Sequence, residues 1–240
     1  MTELLLRSRY ALALAAGLLL AAAFPKLGIA GFAWVAPALM LAAAHGKTGG
    51  EAFRIGYVAG LGQHLGSLYW LLLIPVTGYP ILGWVALSAF LALYPATWVW
   101  LLARKPSSGN WTKRTAWSLA GAAVWVALEM TQARLLSGFP WNLLGSSQFQ
   151  MLPLIQIASV TGIYGVSFIL VWSSLSFLSA ANAILRQPAN RHVWLGEIIL
   201  PLAVLVGVFM FGFARLREQR PDSPTLKVSF IQPSSRSCGC

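Results

Sequence analysis

The sequence predicts an all-α polytopic membrane bundle of about seven transmembrane helices. Three observations predict this class: 58% of the 240 residues are hydrophobic, only 10% are charged, and the mean hydropathy is +0.69. A water-soluble domain usually has about 45–50% apolar and about 25% charged residues. The same composition excludes an intrinsically disordered chain, and two cysteines in 240 residues exclude a disulfide scaffold.

Seven apolar runs approach the roughly 20 residues that a helix needs to cross the hydrocarbon core. Arg7 and Arg9 ahead of an alanine-rich run also fit a cleavable signal peptide. That run is long and a second apolar run follows closely, so an uncleaved first helix is the better interpretation. We predict spans at about 4–24, 28–44, 53–74, 81–103, 115–137, 159–185 and 193–213.

The distribution of positive charge predicts the orientation of these spans, because cytoplasmic loops carry an excess of Lys and Arg. With a cytoplasmic N-terminus, ten of the 17 positive residues fall in cytoplasmic segments, and only Lys26 and Arg134 fall in the outer loops. An odd number of spans then puts the C-terminal tail outside. The net charge of +11 is mostly a topology signal, and no nucleic-acid partner is needed to explain it.

Polar residues within a predicted span are costly, so each marks a functional or structural site. Gln63 and His64 lie near the middle of the third span, among Gly60, Gly62 and Gly66. We favour a structural role for this pair, an interhelical hydrogen bond that fixes packing. The glycines allow the backbone of another helix to approach closely.

Glu129 lies about 14 residues into the fifth span, roughly 21 Å along the helix. A lone carboxyl group at this depth must be protonated, paired or facing a wet cavity. Gln132, three residues later, shares its face, whereas Arg134 does so less well. Two interpretations remain open: Glu129 holds the outer end of the bundle together, or it lies beneath a site at the outer membrane face.

The segment 138–157 is too polar and too broken by Gly and Pro to span, yet too apolar for an ordinary solvent loop. We predict an interfacial or re-entrant loop on the outer face with Trp141 as an anchor. Irregular backbone at bilayer depth must be buried in protein or line a wet cavity. This segment is therefore a candidate wall of a lipid-accessible pocket, with Phe139, Pro140, Trp141 and Gln148 as its candidate residues.

The tail departs from the helical pattern. Residues 215–225 form a polar linker, and residues 226–233 alternate in the manner of a β-strand. A single strand is unstable in water, so we expect it to begin a further soluble domain. Cys238 and Cys240 have no neighbouring base or second ligand pair, so neither a catalytic nor a metal-binding role is expected.

Three stretches together resemble one known family. They are Phe24-Pro25 through Pro37; Gly56–Trp70, which ends in Gly66-Ser67-Leu68-Tyr69-Trp70; and Glu129 followed by Gly138-Phe139-Pro140-Trp141, Leu144-Gly145, Gln148 and the run from Gly162 to Phe168. The pattern is similar to that of apolipoprotein N-acyltransferases and covers about residues 10–233. One departure is Gln132, where family members commonly have Arg.

The resemblance implies a bacterial inner-membrane enzyme that moves an acyl chain from a phospholipid to the N-terminal diacylglyceryl-cysteine of a lipoprotein, without a cofactor. In this family a periplasmic nitrilase-like domain carries a Glu-Lys-Cys triad. That domain would begin with the strand at 226–233, and its triad would lie beyond residue 240. We therefore expect a truncated chain, inactive alone, whose Phe-Pro-Trp loop borders the lipid entrance.

The alternatives are a membrane transporter, with His64 and Glu129 as a proton or substrate relay, and a lipid-binding membrane protein. Transporters usually carry internal repeats with broken helices at matched positions. The sequence has no convincing repeat of this kind.

Overall fold

The computed structural model describes residues 2–74, 78–104, 110–186 and 192–218, together with Ser229. These residues contain no β-strand, so the all-helical class is confirmed for them. Short 3-10 segments cover Ala30–Trp34, Tyr69–Leu73, Leu135–Ser137 and Leu144–Gln148. The α-helices are α1 (Thr2–Ala22), α2 (Ala36–Ala43), α3 (Gly49–Ser67), α4 (Pro80–Leu91), α5 (Leu93–Arg104), α6 (Trp111–Gln132), α7 (Leu152–Ile155), α8 (Ala158–Arg186) and α9 (His192–Arg217).

Three segments of the described chain are long and apolar enough to cross a membrane. They are Pro80–Arg104, which contains both α4 and α5, Ala158–Leu185 in α8 and Trp194–Arg217 in α9. They coincide with the predicted spans 81–103, 159–185 and 193–213. The apolar part of α1, Ser8–Ala22, is helical but shorter than a full span.

The predicted span 28–44 is not one continuous helix. The chain makes a 3-10 segment at Ala30–Trp34 and then the eight-residue α2. Pro37 lies in the first turn of α2, where its missing N–H leaves no hydrogen bond unmade, so a new helix begins there. Eight helical residues rise only about 12 Å, less than half of the hydrocarbon core.

The predicted spans 53–74 and 115–137 are shifted towards their polar starts. Helix α3 ends at Ser67, and the chain continues as the 3-10 segment Tyr69–Leu73. Helix α6 begins early because the Asn110 side chain caps it, accepting the backbone N–H of Lys113 at 3.2 Å. The charged residues of these first turns therefore belong to the helices, although they precede the predicted spans.

Glycines bring α3 into close contact with its neighbours. A β-carbon at Gly60 would lie 2.6 Å from Pro95 Cγ and 2.8 Å from Ala92 Cα, and one at Gly66 would lie 2.8 Å from Ala21 Cβ. The close approach predicted from the glycines is thus confirmed at these two positions. Helix α1 is part of this core, since its Ala13, Ala16 and Leu20 are fully buried.

A tryptophan pair joins α5 to α6. The ring of Trp98, which is fully buried, meets Trp125 edge to face with centroids 4.9 Å apart. Trp98 Nε1 also donates to the carbonyl of Gly121 at 2.8 Å. Edge-to-face packing and a satisfied indole N–H both favour this arrangement in an apolar interior.

A buried ion pair joins α6 to α9. Arg114 Nε binds Glu197 Oε1, and the Glu197 side chain is only 1% exposed. The predicted span 115–137 leaves Arg114 in the cytoplasmic loop before it. Asn110 extends α6 to include it, and a carboxyl group from α9 then neutralises it.

The tail differs from expectation at its start. The predicted linker begins at residue 215, but α9 continues to Arg217, where Arg215 pairs with Glu218 at 2.9 Å. Apart from Ser229, which has no regular secondary structure, the predicted strand 226–233 lies outside the described residues. Cys238 and Cys240 also lie outside them.

Candidate functional site

A small cavity with both polar and apolar walls lies between α3, α5, α6 and the segment 138–148, which we call the FPW loop. The cavity has a volume of about 20 Å³. It brings Gln63 and His64 of α3 together with Glu129 of α6, although the sequence predicted them as two separate sites. The polar residues that line it are Gln63, His64, Tyr94, Glu129, Gln132 and Asn142.

Glu129 supports the FPW loop from inside the bundle. Its side chain is 6% exposed, and Oε1 accepts both Trp125 Nε1 at 3.0 Å and the backbone N–H of Leu144 at 2.7 Å. Trp125 lies four residues earlier on the same face of α6, so the helix itself aligns the indole with the carboxyl group. Arg134 turns elsewhere, donating from Nη1 to the carbonyl of Met130 at 3.1 Å.

Gln132 binds the start of the same loop. Its Nε2 donates to the carbonyl of Phe139 at 3.2 Å and to that of Trp141 at 3.4 Å. In return, the backbone N–H of Phe139 donates to the carbonyl of Gln132 at 2.9 Å. Gln132 therefore bonds the loop backbone through both its side chain and its carbonyl group.

Helix α3 holds the middle of the FPW loop through Ser67, its last residue. Asn142 Nδ2 donates to Ser67 Oγ at 2.7 Å, and that hydroxyl donates to the carbonyl of Gln63 at 2.7 Å. Asn142 has a φ of +60°, a left-handed conformation that asparagine tolerates better than most residues. Sequence reasoning missed both Ser67 and Asn142; an asparagine directly after the anchor Trp141 was the available signal.

Gln63 and His64 are both buried in α3, 4% and 2% exposed. His64 Nδ1 bonds the carbonyl of Gly60 at 2.9 Å, within its own helix. This bond of His64 is therefore not the interhelical hydrogen bond that was predicted. Both side chains instead border the cavity beneath the loop.

The end of the FPW loop is held by three further hydrogen bonds. The backbone N–H of Gly145 donates to Ser167 Oγ of α8 at 2.9 Å, a partner that sequence reasoning missed. Gln148 is fully buried, and its Oε1 accepts Trp34 Nε1 at 3.2 Å while its Nε2 donates to the carbonyl of Ala30 at 3.0 Å. The loop is thus attached to four separate parts of the bundle.

The opposite side of the loop presents apolar surface. Trp141 is 58% exposed, and its ring is tilted against Trp70 with centroids 5.7 Å apart. Pro140 is exposed beside it and Phe139 is half-buried. Nearby, the ammonium of Lys26 lies 4.5 Å from the centre of the Tyr69 ring. The loop therefore combines a hydrogen-bonded underside with an aromatic rim.

The chemistry of the described residues suits the positioning of a loop. An amide and a carboxyl group of α6 and a hydroxyl of α8 bind its backbone, and a hydroxyl of α3 binds the side chain of Asn142. Within the described ranges, no group of three or more His, Cys, Asp or Glu side chains is placed to hold a metal ion.

Comparison with known proteins gives a consistent match. Residues 16–176 match the family described as apolipoprotein N-acyltransferase N-terminal domain. The chain is 37% identical over 234 residues to the apolipoprotein N-acyltransferase of Geobacter metallireducens, which covers 94% of this chain and 43% of the relative.

Two further relatives carry the same name. The protein of Methylococcus capsulatus is 32% identical over 227 residues, covering 92% of this chain and 43% of the relative. That of Nitrosomonas europaea is 30% identical over 192 residues, covering 78% of this chain and 36% of the relative. The chain thus spans less than half the length of the curated relatives it matches.

Proposed function

The chain belongs to the apolipoprotein N-acyltransferase family, and we propose that residues 1–240 form the membrane part of such an enzyme. The proposed reaction moves an acyl chain from a phospholipid to the N-terminal diacylglyceryl-cysteine of a lipoprotein in the bacterial inner membrane. One observation carries the proposal: the match to the Geobacter metallireducens relative covers 94% of this chain but only 43% of that protein.

On this proposal, the covalent chemistry belongs to the part of the relatives that lies beyond the aligned region. A cysteine thiolate there takes the acyl chain as a thioester, a glutamate acts as base, and a lysine stabilises the oxyanion. Residues 1–240 seat that domain and give it access to lipid. By themselves they transfer no acyl chain.

We infer that the aromatic rim of the FPW loop borders the entrance for lipid. Trp141 and the half-buried Trp70 beside it offer ring surface that an acyl chain can contact. The hydrogen bonds of Glu129 and Gln132 to the loop backbone keep that surface in one position while lipids pass. A fixed rim lowers the entropy lost when a chain is bound.

We also propose the seven-span arrangement with a cytoplasmic N-terminus. The contacts pair residues that the orientation assigns to the same side: Arg9 donates to the carbonyl of His45 at 2.6 Å, and Lys26 lies over Tyr69. The other spans are then short or carry charged residues. They are formed by α1, by α2 with the 3-10 segment before it, by α3 and by α6. The polar ends of these helices lie at the level of the headgroups.

A fusion protein tests the proposed function. Residues 1–217 replace the aligned region of the Geobacter metallireducens relative, and the fusion is expressed in bacteria depleted of their own N-acyltransferase. We expect the fusion to restore N-acylation of lipoproteins, measured by mass spectrometry of their N-terminal peptides. Two controls, the 240-residue chain and the relative without its membrane part, should both fail to restore it.

Two results would overturn the proposal. One is a fusion that reaches the membrane at normal abundance but does not acylate. The other is thioester formation with a labelled phospholipid by the 240-residue chain alone, which would place the chemistry within these residues.

A further inference from the structure

We propose that the cavity between α3, α5 and α6 is a binding site for one water molecule, which joins Gln63, Tyr94 and Glu129. This site is independent of the proposed acyl transfer. Within the described ranges, Gln63 Oε1, Tyr94 Oη and Glu129 Oε2 are buried without a hydrogen-bond partner. All three residues line the same cavity.

Buried polar atoms in folded proteins nearly always have a partner, and a bound water supplies it where the protein does not. Two neighbouring atoms already have partners. Glu129 Oε1 accepts Trp125 and Leu144, and His64 Nδ1 bonds the carbonyl of Gly60. Three oxygens from three different helices therefore share one unmet requirement.

The cavity is large enough for a water molecule. Its volume is about 20 Å³, and a water molecule needs about 10–15 Å³.

The hydrogen-bonding capacity of water matches the three groups. Water offers two donors and two acceptor sites, while the three side chains offer one hydroxyl donor and two carbonyl-type acceptors. The water accepts from the Tyr94 hydroxyl and donates to Gln63 Oε1 and Glu129 Oε2. Three hydrogen bonds is the usual number for a buried water.

The water joins three different helices. Gln63 belongs to α3, Tyr94 to α5 and Glu129 to α6. It also restrains the carboxyl oxygen that Leu144 does not use, so it contributes to the orientation from which Glu129 supports the FPW loop.

A structure of the full chain in lipid, at a resolution where ordered waters are visible, tests the site directly. We expect one density peak within hydrogen-bonding distance of all three oxygens. An empty cavity, or density too large for water, would overturn the proposal.

Paired substitutions give a second test. Tyr94→Phe and Gln63→Leu each remove one partner of the water, so the melting temperature of the double variant should fall by less than the sum of the two single losses. Tyr57→Phe, on a tyrosine that does not line the cavity, should be additive with Gln63→Leu. Additive losses for Tyr94→Phe with Gln63→Leu would contradict a shared water.

Discussion

The backbone N–H of Leu144 donates to the carboxyl group of Glu129 at 2.7 Å, across fifteen positions of the chain. Both groups are buried, so neither can exchange the other for solvent. This bond makes the position of the FPW loop depend on a side chain inside the bundle.

Replacing Glu129 should therefore loosen the loop. In Glu129→Ala the Trp125 indole and the Leu144 amide both lose their acceptor, and each buried unsatisfied donor costs about 1–3 kcal/mol. We expect a lower melting temperature and faster hydrogen exchange at Leu144. Glu129→Gln, which keeps an acceptor oxygen, should lose less, and Met130→Ala, on the next and exposed residue, should change neither measurement. Unchanged exchange at Leu144 in Glu129→Ala would contradict this role.

Trp141 should matter more for acylation than for folding. In the fusion protein described above, Trp141→Ala removes a ring that contacts Trp70. Aromatic pairs contribute about 0.5–1.5 kcal/mol, which corresponds to a roughly two- to ten-fold loss of acylation rate. The rate per molecule of membrane protein is the measurement, and Phe149→Ala, on another exposed aromatic residue, is the control. Equal effects of the two variants would leave Trp141 as a mere interfacial anchor.

Two helical glycines, Gly60 in α3 and Gly207 in α9, have different surroundings. Replacing each with alanine should therefore have opposite effects on stability. Gly60→Ala places a methyl group 2.6 Å from Pro95 Cγ, and overpacking of this kind costs about 1–3 kcal/mol. Gly207→Ala in α9 meets no atom within 4 Å and should stabilise by about 0.5–1 kcal/mol, as alanine does for glycine within a helix. Thermal unfolding in lipid nanodiscs measures both. A Gly60→Ala variant as stable as the parent would show that α3 and α5 can separate without cost.

Burial also distinguishes the two ion pairs of α9. Glu197→Ala removes the buried carboxyl group that Arg114 Nε binds, and breaking a buried ion pair costs about 3–5 kcal/mol. Glu218→Ala breaks the exposed pair with Arg215 and should cost no more than about 1 kcal/mol. The free energy of unfolding in detergent compares the two. Similar losses would mean that water reaches the Arg114–Glu197 pair.

Hydropathy predicted the helical segments best where nothing but apolar length decides. The runs at 80–104, 158–185 and 194–217 are of this kind. It failed around Pro37, because composition does not reveal where a missing N–H divides one apolar run into two helices. It also placed the start of α6 too late, since the capping side chain of Asn110 is a local hydrogen bond that an average over a window does not register.

The candidate site was predicted in its parts but not as a unit. Gln63, His64 and Glu129 were identified as polar residues in apolar surroundings, which needs only the sequence. Their convergence depends on which helices are neighbours. The glycines bring α3 against α5, and the Trp98–Trp125 pair joins α5 to α6. The Ser67–Asn142 bond was missed for the same reason, since its partners lie 75 residues apart.

The contacts of Gln148 have a consequence for the order of folding. Its partners, Ala30 and Trp34, precede it by 118 and 114 residues, so the segment between α1 and α2 is synthesised long before the FPW loop. Contacts of such long sequence separation form late, because a long stretch of chain must first be closed into a loop. The segment between α1 and α2 is thus already in the membrane when the FPW loop is synthesised, and the loop then binds to it. A defect at Ala30 or Trp34 would leave the helices inserted but the end of the FPW loop without these hydrogen bonds.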